Sequence, residues 1–316
     1  MERRGAVLGI GHTRAKFILM GEHSVVYGHP AIALPLPALS MDVEVRATVG
    51  PARIRSEYFT GLLSDAPSTL AGPLAAIRAA STAVGVPLEG VSVDIESSIP
   101  AERGLGSSAA TAGAIVHAFA DAAHRQLSDR EHFDLVQVAE RVAHGTPSGL
   151  DAVATNSRVP VLFRGGVTAA LPMALQGSFV IADTGVRGST RVAVAGLRQL
   201  REERPVWAES RLDRLGRLAA DAVEDLAGAR SDDLGDRMSE AHAILGELGV
   251  SSAELDVLVG AATAAGALGA KLTGGGQGGC IVALAPTPTI AADVTRALHG
   301  AGATRSWVYD TMVPVA

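Results

Sequence analysis

Residues 99–112 read Ile-Pro-Ala-Glu-Arg-Gly-Leu-Gly-Ser-Ser-Ala-Ala-Thr-Ala, and the surrounding chain is best interpreted outward from them. Residues 91–95 before them alternate apolar and polar side chains, which predicts a half-buried strand. Residues 108–124 after them are rich in Ala, with large apolar residues spaced for one face of a helix. The stretch is therefore predicted to be a glycine-containing loop between a strand and the start of a helix.

A loop of this kind suits an anion, because the amide groups and dipole at a helix start favour negative charge and glycine lets the backbone come close. Serine hydroxyls beside it can donate to an anion or face a metal ion. No Gly-Lys-Ser/Thr sequence follows the glycines, which excludes a Walker A loop. On these residues alone, a tight turn followed by an N-cap explains the sequence equally well. The candidate phosphate-binding residues are Arg103, Gly104, Leu105, Gly106, Ser107, Ser108 and Ala109.

Composition limits the class of protein. A chain of 316 residues predicts one large domain or two ordinary ones, and 47% hydrophobic with 19% charged residues supports a substantial core. The net charge of −6 argues against nucleic acid, RNA included, as the main partner. Cys280, the single cysteine, excludes an internal disulfide and is expected to be a buried structural thiol. With no apparent membrane span or signal peptide, the chain is expected to be soluble and cytoplasmic.

The predicted helices and strands are mixed along the chain, and the pattern changes after residue 183. We expect a boundary near residues 183–190, which gives an N-terminal domain of residues 1–186 and a C-terminal domain of residues 187–316. The predicted helices cover residues 70–84, 108–124, 131–143, 192–201, 206–227, 233–248, 253–265 and 290–298. The predicted strands cover residues 41–48, 91–95, 160–163, 178–182, 280–285 and 306–313.

A second motif, residues 15–28, begins as a strand that carries Lys16 and ends in a turn that carries Glu22 and His23. A lysine beside a phosphate or carboxylate site supplies a point charge and can stabilise a neighbouring ionised acid. The alternative is a solvated lysine at a strand end and an ordinary surface histidine.

A third motif, residues 271–280, has five glycines among the six residues 274–279. So few side chains allow a loop to pass very close to a ligand or another backbone. A flexible connector is the alternative, but a position between a predicted helix and an apolar strand favours a functional loop. Gly274, Gly275 and Gly276 are therefore candidate site residues.

Two carboxylates lie between the phosphate loop at residues 103–108 and the third motif. Glu140 is near the end of a predicted helix, and Asp151 falls in the first turn of the next helix, which Ser148 is predicted to cap. Carboxylates near a phosphate loop suggest a metal ligand and a proton acceptor, as phosphoryl transfer to a hydroxyl requires. Alternatively, Asp151 complements a helix dipole and Glu140 pairs with Arg141 or His144.

Three segments, in this order along the chain, resemble the motifs of the GHMP kinase superfamily. They are Lys-Phe-Ile-Leu-Met-Gly-Glu-His, Gly-Leu-Gly-Ser-Ser-Ala-Ala and Lys-Leu-Thr-Gly-Gly-Gly-x-Gly-Gly-Cys. The motifs span residues 15–280, nearly the whole chain. The resemblance implies an α/β (α+β) fold of two domains. The N-terminal domain would be similar to ribosomal protein S5 domain 2, and the C-terminal one would be ferredoxin-like. It also implies ATP as co-substrate, with Mg²⁺.

The resemblance further implies roles for the residues that match the motifs. Residues 104–108 would wrap the triphosphate, and Ser108 and Glu140 would hold Mg²⁺. Asp151 would take the proton from the substrate hydroxyl, while Lys16 would keep Asp151 ionised and touch the γ-phosphate. Around the acceptor substrate, the implied residues are Glu22, His23, Thr190, Gly274, Gly275 and Gly276.

Within the superfamily, residues 21–33 and 140–151 are most similar to members that phosphorylate the 5-hydroxyl of mevalonate, which is therefore the expected acceptor. A phosphomevalonate or homoserine kinase, or a non-catalytic nucleotide-binding protein on the same fold, remains an alternative. A diphosphomevalonate decarboxylase is disfavoured because Lys-Tyr-Trp-Gly-Lys is absent. A homodimer is left open. The sequence departs from the family pattern at Glu102-Arg103, where Arg103 could touch phosphate or pair with Glu102, and at Gln277, where Gly is more usual.

Overall fold

The computed structural model describes residues 5–145 and 147–313, which form two compact units that are discontinuous in sequence. Unit 1 comprises residues 5–15, Leu39–Pro100 and Gly106–Asn156. Unit 2 comprises Lys16–Ala38, Ala101–Leu105 and residues 157–313. Two long strands, β1 (Val7–Met20) and β2 (Ala31–Ala47), have residues in both units. A division of the chain at residue 186 stays a prediction.

The sheet of unit 1 contains the second half of β2 together with β3 (Arg53–Arg55), β4 (Thr60–Leu62) and β5 (Val91–Ser97). β2 runs antiparallel to β5, β3 runs parallel to β5, and β4 runs antiparallel to β3. Met41, Val43 and Val45 of β2 are at most 2% exposed and alternate with less buried residues. The strands predicted at residues 41–48 and 91–95 are therefore confirmed.

The helices of unit 1 are α1 (Ala71–Val84), α2 (Ser107–Ala122), α3 (Asp129–His144) and the short α4 (Leu150–Ala154). Two 3₁₀ turns, Leu63–Asp65 and Ser68–Leu70, precede α1. α1, α2 and α3 pack on one another, and α4 contacts α2 and α3. β1 approaches α2 closely: a Cβ on Gly11 would lie 1.9 Å from the carbonyl oxygen of Ala114. Glycine in the strand and alanine in the helix therefore set the distance between them.

Unit 2 contains a 3₁₀ turn (Ser24–Tyr27), β6 (Val161–Arg164), β7 (Val167–Ala170), β8 (Ser178–Asp183), β9 (Gly269–Thr273), β10 (Cys280–Ala285) and β11 (Arg305–Asp310). The first half of β2 pairs with β6, and β6 pairs with β7. The other four strands form an antiparallel sheet in the order β11-β8-β10-β9, and β8, β9 and β10 are buried throughout. Cys280, in β10, is fully buried, and burial raises the pKa of its thiol, which confirms the expected structural cysteine.

The helices of unit 2 are α5 (Thr190–Glu203), α6 (Pro205–Ala227), α7 (Ser231–Glu247), α8 (Ala253–Ala264) and α9 (Pro288–Gly300). Counted from β8, the connections follow a βαββαβ pattern with strand order 4-1-3-2, and α7, α8 and α9 pack on the strands. The expected ferredoxin-like architecture is thereby confirmed. Within the described ranges, no helix combines the length and apolar character needed to cross a membrane.

Several local predictions are wrong, among them the following three. The helix at residues 253–265 does not lead directly into the glycine-rich loop, because β9 lies between them. The residues of β9 are all buried and lack the alternation that reveals a strand. The strand predicted for residues 306–313 ends at Asp310. The predicted start of α3 at Glu131 is two residues late, because Ser128 and Glu131 form a capping box and the helix begins at Asp129.

Candidate active site

The phosphate-binding stretch ends in unit 1, in the first turn of α2. Gly106 is the N-cap residue and has a φ of 78°, a left-handed conformation that glycine adopts readily. Ser107, Ser108 and Ala109 follow as the first helical residues, and no side chain from the described part of the chain caps this end. The first amide groups of α2 therefore have no competing side-chain acceptor, as an anion site at a helix start requires.

Ser108 lies beside Glu140, which is in the last turn of α3 and only 4% exposed. The Ser108 hydroxyl donates a hydrogen bond of 2.5 Å to Oε1 of Glu140. The other carboxylate oxygen lies 4.0 Å from Nε2 of His144, a distance at the limit of an ion pair. Ser108 is thus a direct hydrogen-bond partner of Glu140, and His144 is a second neighbour of the same carboxylate. A hydroxyl and a carboxylate placed side by side provide the hard oxygen donors that Mg²⁺ prefers.

Asp151 is the second residue of α4 and is half-buried, so its predicted place in a first helical turn is confirmed. The expected cap by Ser148 is wrong, because the N-cap residue is Gly149, with a φ of 93°. Ser148 Oγ instead accepts a weak hydrogen bond of 3.3 Å from the amide of Leu150. Since α4 contacts α2 and α3, Asp151 is on a helix that packs on both helices of the hydroxyl–carboxylate pair.

Lys16 belongs to unit 2, where it lies in β1 and is 1% exposed. Its Nζ donates to the carbonyl oxygen of Gly104 at 2.9 Å, and its backbone amide donates to Leu105 at 3.1 Å. The alternative of a solvated lysine at a strand end is therefore wrong. The ammonium group lies directly on the backbone of the predicted phosphate loop, where a point charge is useful to a phosphate group.

The third motif forms the turn of a hairpin, in which β9 and β10 pair and Thr273 lies opposite Cys280. A Cβ on Gly274 would lie 2.6 Å from the Cα of Gly104, and a Cβ on Gly275 would lie 2.2 Å from Oγ1 of Thr190. The missing side chains let the turn contact both the phosphate loop and the start of α5. Such close contacts on two sides do not fit a flexible connector.

Glu22 and Lys271 form a buried ion pair beneath this turn. Their exposed fractions are 2% and 0%, and Lys271 Nζ donates both to Oε1 of Glu22 and, at 2.7 Å, to the carbonyl oxygen of Leu272. Burial raises the pKa of Glu22 and lowers the pKa of Lys271, in each case against the attraction of the other. Glu22, predicted at the substrate site, is therefore engaged with a lysine inside the unit.

His23, the neighbour of Glu22, is 7% exposed and has a φ of 60°. Burial lowers the pKa of His23 to about 4, so the ring is neutral at pH 7. Its Nε2 lies 3.1 Å from the carbonyl oxygen of Gly275. Because a carbonyl oxygen only accepts, we assign the ring proton to Nε2 and a lone pair to Nδ1. His23 can therefore accept a hydrogen bond from a hydroxyl group, and its interpretation as a surface histidine is wrong.

Arg103 contacts Glu102 only through the backbone, where its Nη1 donates to the carbonyl oxygen of Glu102 at 3.4 Å. Its Nε lies 2.8 Å from Oδ1 of Asp183, and its Nη2 donates to the carbonyl oxygen of Gly185 at 3.1 Å. The carboxylate of Glu102 instead pairs with Arg187 at 3.3 Å. An ion pair between Arg103 and Glu102 is therefore a wrong expectation, while contact of Arg103 with phosphate stays a prediction.

Gln277 occupies the position in the third motif where the family that the sequence resembles more often has glycine. Its φ of 56° is in the left-handed region. Its side-chain Nε2 donates to the carbonyl oxygens of Gly249 at 2.6 Å and Ser251 at 3.3 Å. Its backbone amide donates to Val250 at 2.8 Å. Gln277 thus ties the glycine-rich turn to the connection between α7 and α8.

Sequence reasoning did not identify Lys271 and Asp183 as parts of the site region. Both are charged residues within or at the end of apolar runs, which is a signal that each needs a buried partner. The partner of Lys271 is 249 positions away, however, so only the folded chain shows it.

Comparisons with known proteins agree with this geometry. The family model described as GHMP kinases N terminal domain matches residues 72–157, and GHMP kinases C terminal matches residues 222–304. The mevalonate kinase of Thermococcus gammatolerans is 35% identical over 311 residues and 92% of both chains. That of Pyrococcus abyssi is 37% identical over 295 residues, 86% of this chain and 87% of its own. L. major mevalonate kinase, solved in complex with R-mevalonate, is 26% identical with a TM-score of 0.81 over 96% of this chain and 97% of its own.

The chain belongs to the GHMP kinase family and is an ATP-dependent small-molecule kinase. Within that family, relatives of more than one-third identity over most of the chain place it with the mevalonate kinases.

Proposed function

We propose that this chain transfers the γ-phosphoryl group of ATP to the 5-hydroxyl of mevalonate. The observation that carries the proposal is the contact of Ser108 with Glu140 at the uncapped start of α2. This contact combines an anion-binding helix start with oxygen donors for a divalent ion, as use of a metal–nucleotide complex requires. The choice of acceptor is supported by the relatives, which are mevalonate kinases.

On the nucleotide side, the backbone of residues 103–109 would wrap the triphosphate. Ser108 and Glu140 would hold Mg²⁺, the Ser108 hydroxyl exchanging its present hydrogen bond for coordination. When bound, Mg²⁺ would neutralise charge on the phosphate oxygens. Lys16, already fixed on the backbone of Gly104, would add a second positive charge near the transferred group.

For the chemical step, Asp151 would accept the proton of the attacking hydroxyl. Asp151 is half-buried on a helix that packs on the helices of Ser108 and Glu140, so all three residues belong to unit 1. A carboxylate in this position acts as a general base, while most of the remaining catalysis of phosphoryl transfer comes from positioning and charge neutralisation.

On the acceptor side, His23 would accept a hydrogen bond from a mevalonate hydroxyl through Nδ1, which is consistent with its neutral ring. Thr190 and the backbone of residues 274–276 would border the same region, since Gly275 contacts both Thr190 and His23. Glu22 would act indirectly, because its ion pair with Lys271 fixes the backbone next to His23.

An acceptor panel tests this function. ADP release from MgATP should be measured by a coupled assay with mevalonate, phosphomevalonate and homoserine, using the Asp151→Asn variant to detect contaminating kinase. Mevalonate should give the highest kcat/KM, and homoserine should be poorer by about 10⁴-fold, because sites built to bind polar groups reject analogues that lack them. A higher kcat/KM with phosphomevalonate would contradict the choice of acceptor but not the family.

The proposal includes a cytoplasmic location, and it leaves open the formation of a homodimer. Sedimentation equilibrium of the purified chain measures the second directly, and a single species with the 32.2 kDa mass of one chain would exclude it.

A further inference from the structure

Arg103 precedes the glycines of the phosphate loop, and its side chain is largely buried in unit 2. The Arg103 side chain is 13% exposed, and that of its partner Asp183, the last residue of β8, is 1% exposed. Asp183 Oδ1 also accepts a hydrogen bond of 2.8 Å from the amide of Gly185. Because Arg103 donates to the carbonyl oxygen of Gly185, the arginine contacts both the side chain and the backbone of one short segment.

That segment, residues 183–188, also contacts the backbone of Glu102, the neighbour of Arg103, and the end of the glycine-rich turn. The amide of Gly188 donates to the carbonyl oxygen of Glu102 at 2.9 Å. The amide of Gly279 donates to Val186 at 2.9 Å, and a Cβ on Gly279 would lie 2.9 Å from the carbonyl oxygen of Arg103. Residues 183–188 therefore hold the first part of the phosphate loop against the end of the glycine-rich turn.

We propose that Arg103 is a positioning residue that fixes the phosphate loop through Asp183, and that its guanidinium group does not bind phosphate. The reason is electrostatic. All three guanidinium nitrogens already have neighbours: Nε lies 2.8 Å from Oδ1 of Asp183, Nη2 donates to the carbonyl oxygen of Gly185 at 3.1 Å, and Nη1 donates to that of Glu102 at 3.4 Å. Withdrawing the guanidinium would also leave the buried carboxylate of Asp183 without its partner, which is strongly unfavourable. The proposal rests on the proposed kinase function, in which this loop binds the nucleotide.

A displaced loop would affect nucleotide binding through its neighbours. Gly104, the next residue, accepts the hydrogen bond from Lys16 and lies in close contact with Gly274. A shift of Arg103 would therefore move the backbone that orients the Lys16 ammonium group. We expect weaker nucleotide binding and a higher KM for ATP, with little change in the KM for the acceptor.

The test is a double-mutant cycle of Arg103→Met, Asp183→Asn and the double variant, with Arg305→Met as the matched control. Arg305 is an exposed cation directly opposite Asp183 in the β8–β11 pair, so its loss removes a similar charge without removing the buried contact. The dissociation constant of MgADP is measured by calorimetry, since it does not depend on which acceptor is used. KM for ATP, KM for the acceptor and kcat are measured beside it.

Each single variant should weaken MgADP binding by about tenfold, a coupling typical of residues in contact. The double variant should be no weaker than the worse single variant, and Arg305→Met should match the parent. If Asp183→Asn binds MgADP normally while Arg103→Met does not, Arg103 binds phosphate and the proposal is wrong. It is equally wrong if the variants lose only thermal stability or kcat and keep normal nucleotide binding.

Arg103→Lys keeps the proposal testable if Asp183→Asn does not fold. Lysine retains the charge that a phosphate group needs, but it cannot reproduce the guanidinium contacts with both Asp183 and Gly185. Arg103→Lys should therefore bind MgADP as poorly as Arg103→Met. Recovery of normal binding in Arg103→Lys would assign Arg103 to the phosphate instead. Failure of mevalonate as the acceptor would leave these binding measurements unaffected.

Discussion

Glu140 in unit 1 and Glu22 in unit 2 are both buried carboxylates, yet their partners differ. Glu140 accepts from the neutral hydroxyl of Ser108, whereas Glu22 is paired with the ammonium group of Lys271. Glu140 also lies 4.0 Å from Nε2 of His144, and a carboxylate next to a hydroxyl provides oxygen donors of the kind that Mg²⁺ prefers, whereas Glu22 is held by a buried ammonium group. Two carboxylates that are almost equally buried therefore differ in their chemical environment, and burial alone does not identify a candidate metal ligand.

Loss of the lysine gives the largest expected effect. Lys271→Met leaves Glu22 buried without its counter-charge, so the free energy of unfolding should fall by about 3–5 kcal/mol. Adding Glu22→Gln should recover much of that loss, because both groups are then neutral. Urea unfolding of the single and double variants measures this. A loss below about 1 kcal/mol would be typical of an exposed pair and would contradict the assignment.

Acid should destabilise both units through one histidine in each. The pKa of His23 is lowered to about 4 by burial, and that of His132 is lowered to about 4 by burial and then by His117. Below pH 6.5 the unfolded chain binds protons that the folded chain does not. Stability is therefore complete above pH 6.5 and falls as the pH approaches 4, by at most about 3 kcal/mol for each histidine.

Histidine variants separate the two contributions. Urea unfolding at pH 7 and pH 4.5 should show a smaller acid-induced loss in His23→Gln and in His132→Gln than in the parent. Comparison with the parent removes the effect of the carboxyl groups that titrate in the same range. An unchanged loss in either variant would show that the ring concerned is not buried in the neutral form.

Removal of the proposed base should affect catalysis and not the fold. Asp151→Asn keeps the shape of the side chain and removes its charge, so kcat should fall by at least ~10²-fold. MgADP binding and urea unfolding should match the parent, since Asn keeps the shape of a side chain that is only half-buried. Turnover near the parent value would exclude Asp151 as the base.

The smallest effect compares the two glutamates directly. Glu140→Gln should raise the Mg²⁺ concentration for half-maximal rate by about tenfold, as expected for loss of one interaction with a charged partner. Glu22→Gln, the control, should leave the Mg²⁺ dependence unchanged even if the protein is less stable. Equal Mg²⁺ dependence in both variants would remove the distinction drawn between these carboxylates.

Local patterns predicted much of the fold. Apolar periodicity located α1, α6 and α9, because each buries one face, and alternation located β5. β9 was missed because its residues are buried on both sides and leave no alternation. The first half of β2 was missed as well; it contains two prolines, which usually argue against a strand.

The candidate site was predictable as a set of residues but not as a set of contacts. The order of the motifs identified Ser108, Glu140 and Asp151 as candidate residues. The structure places them on three helices that contact one another. The pairing of Glu22 with Lys271 could not be predicted, because such contacts depend on how distant strands are brought together. Arg103 shows the same limit: its charge suggested a phosphate partner, and the sequence did not indicate that the buried carboxylate of Asp183 lies beside it.

Gln277 also affects how fast the glycine-rich turn exchanges amide hydrogen with solvent. A turn with five glycines in six residues is expected, from its composition alone, to unfold locally and often, so that its amide hydrogens exchange quickly. The amide of Gln277 instead donates to Val250, and that of Gly279 donates to Val186. The Gln277 side chain adds two hydrogen bonds to Gly249 and Ser251, on either side of Val250. Deuterium uptake at residues 277 and 279 should therefore be slow, as in a strand, and Gln277→Gly should make it fast.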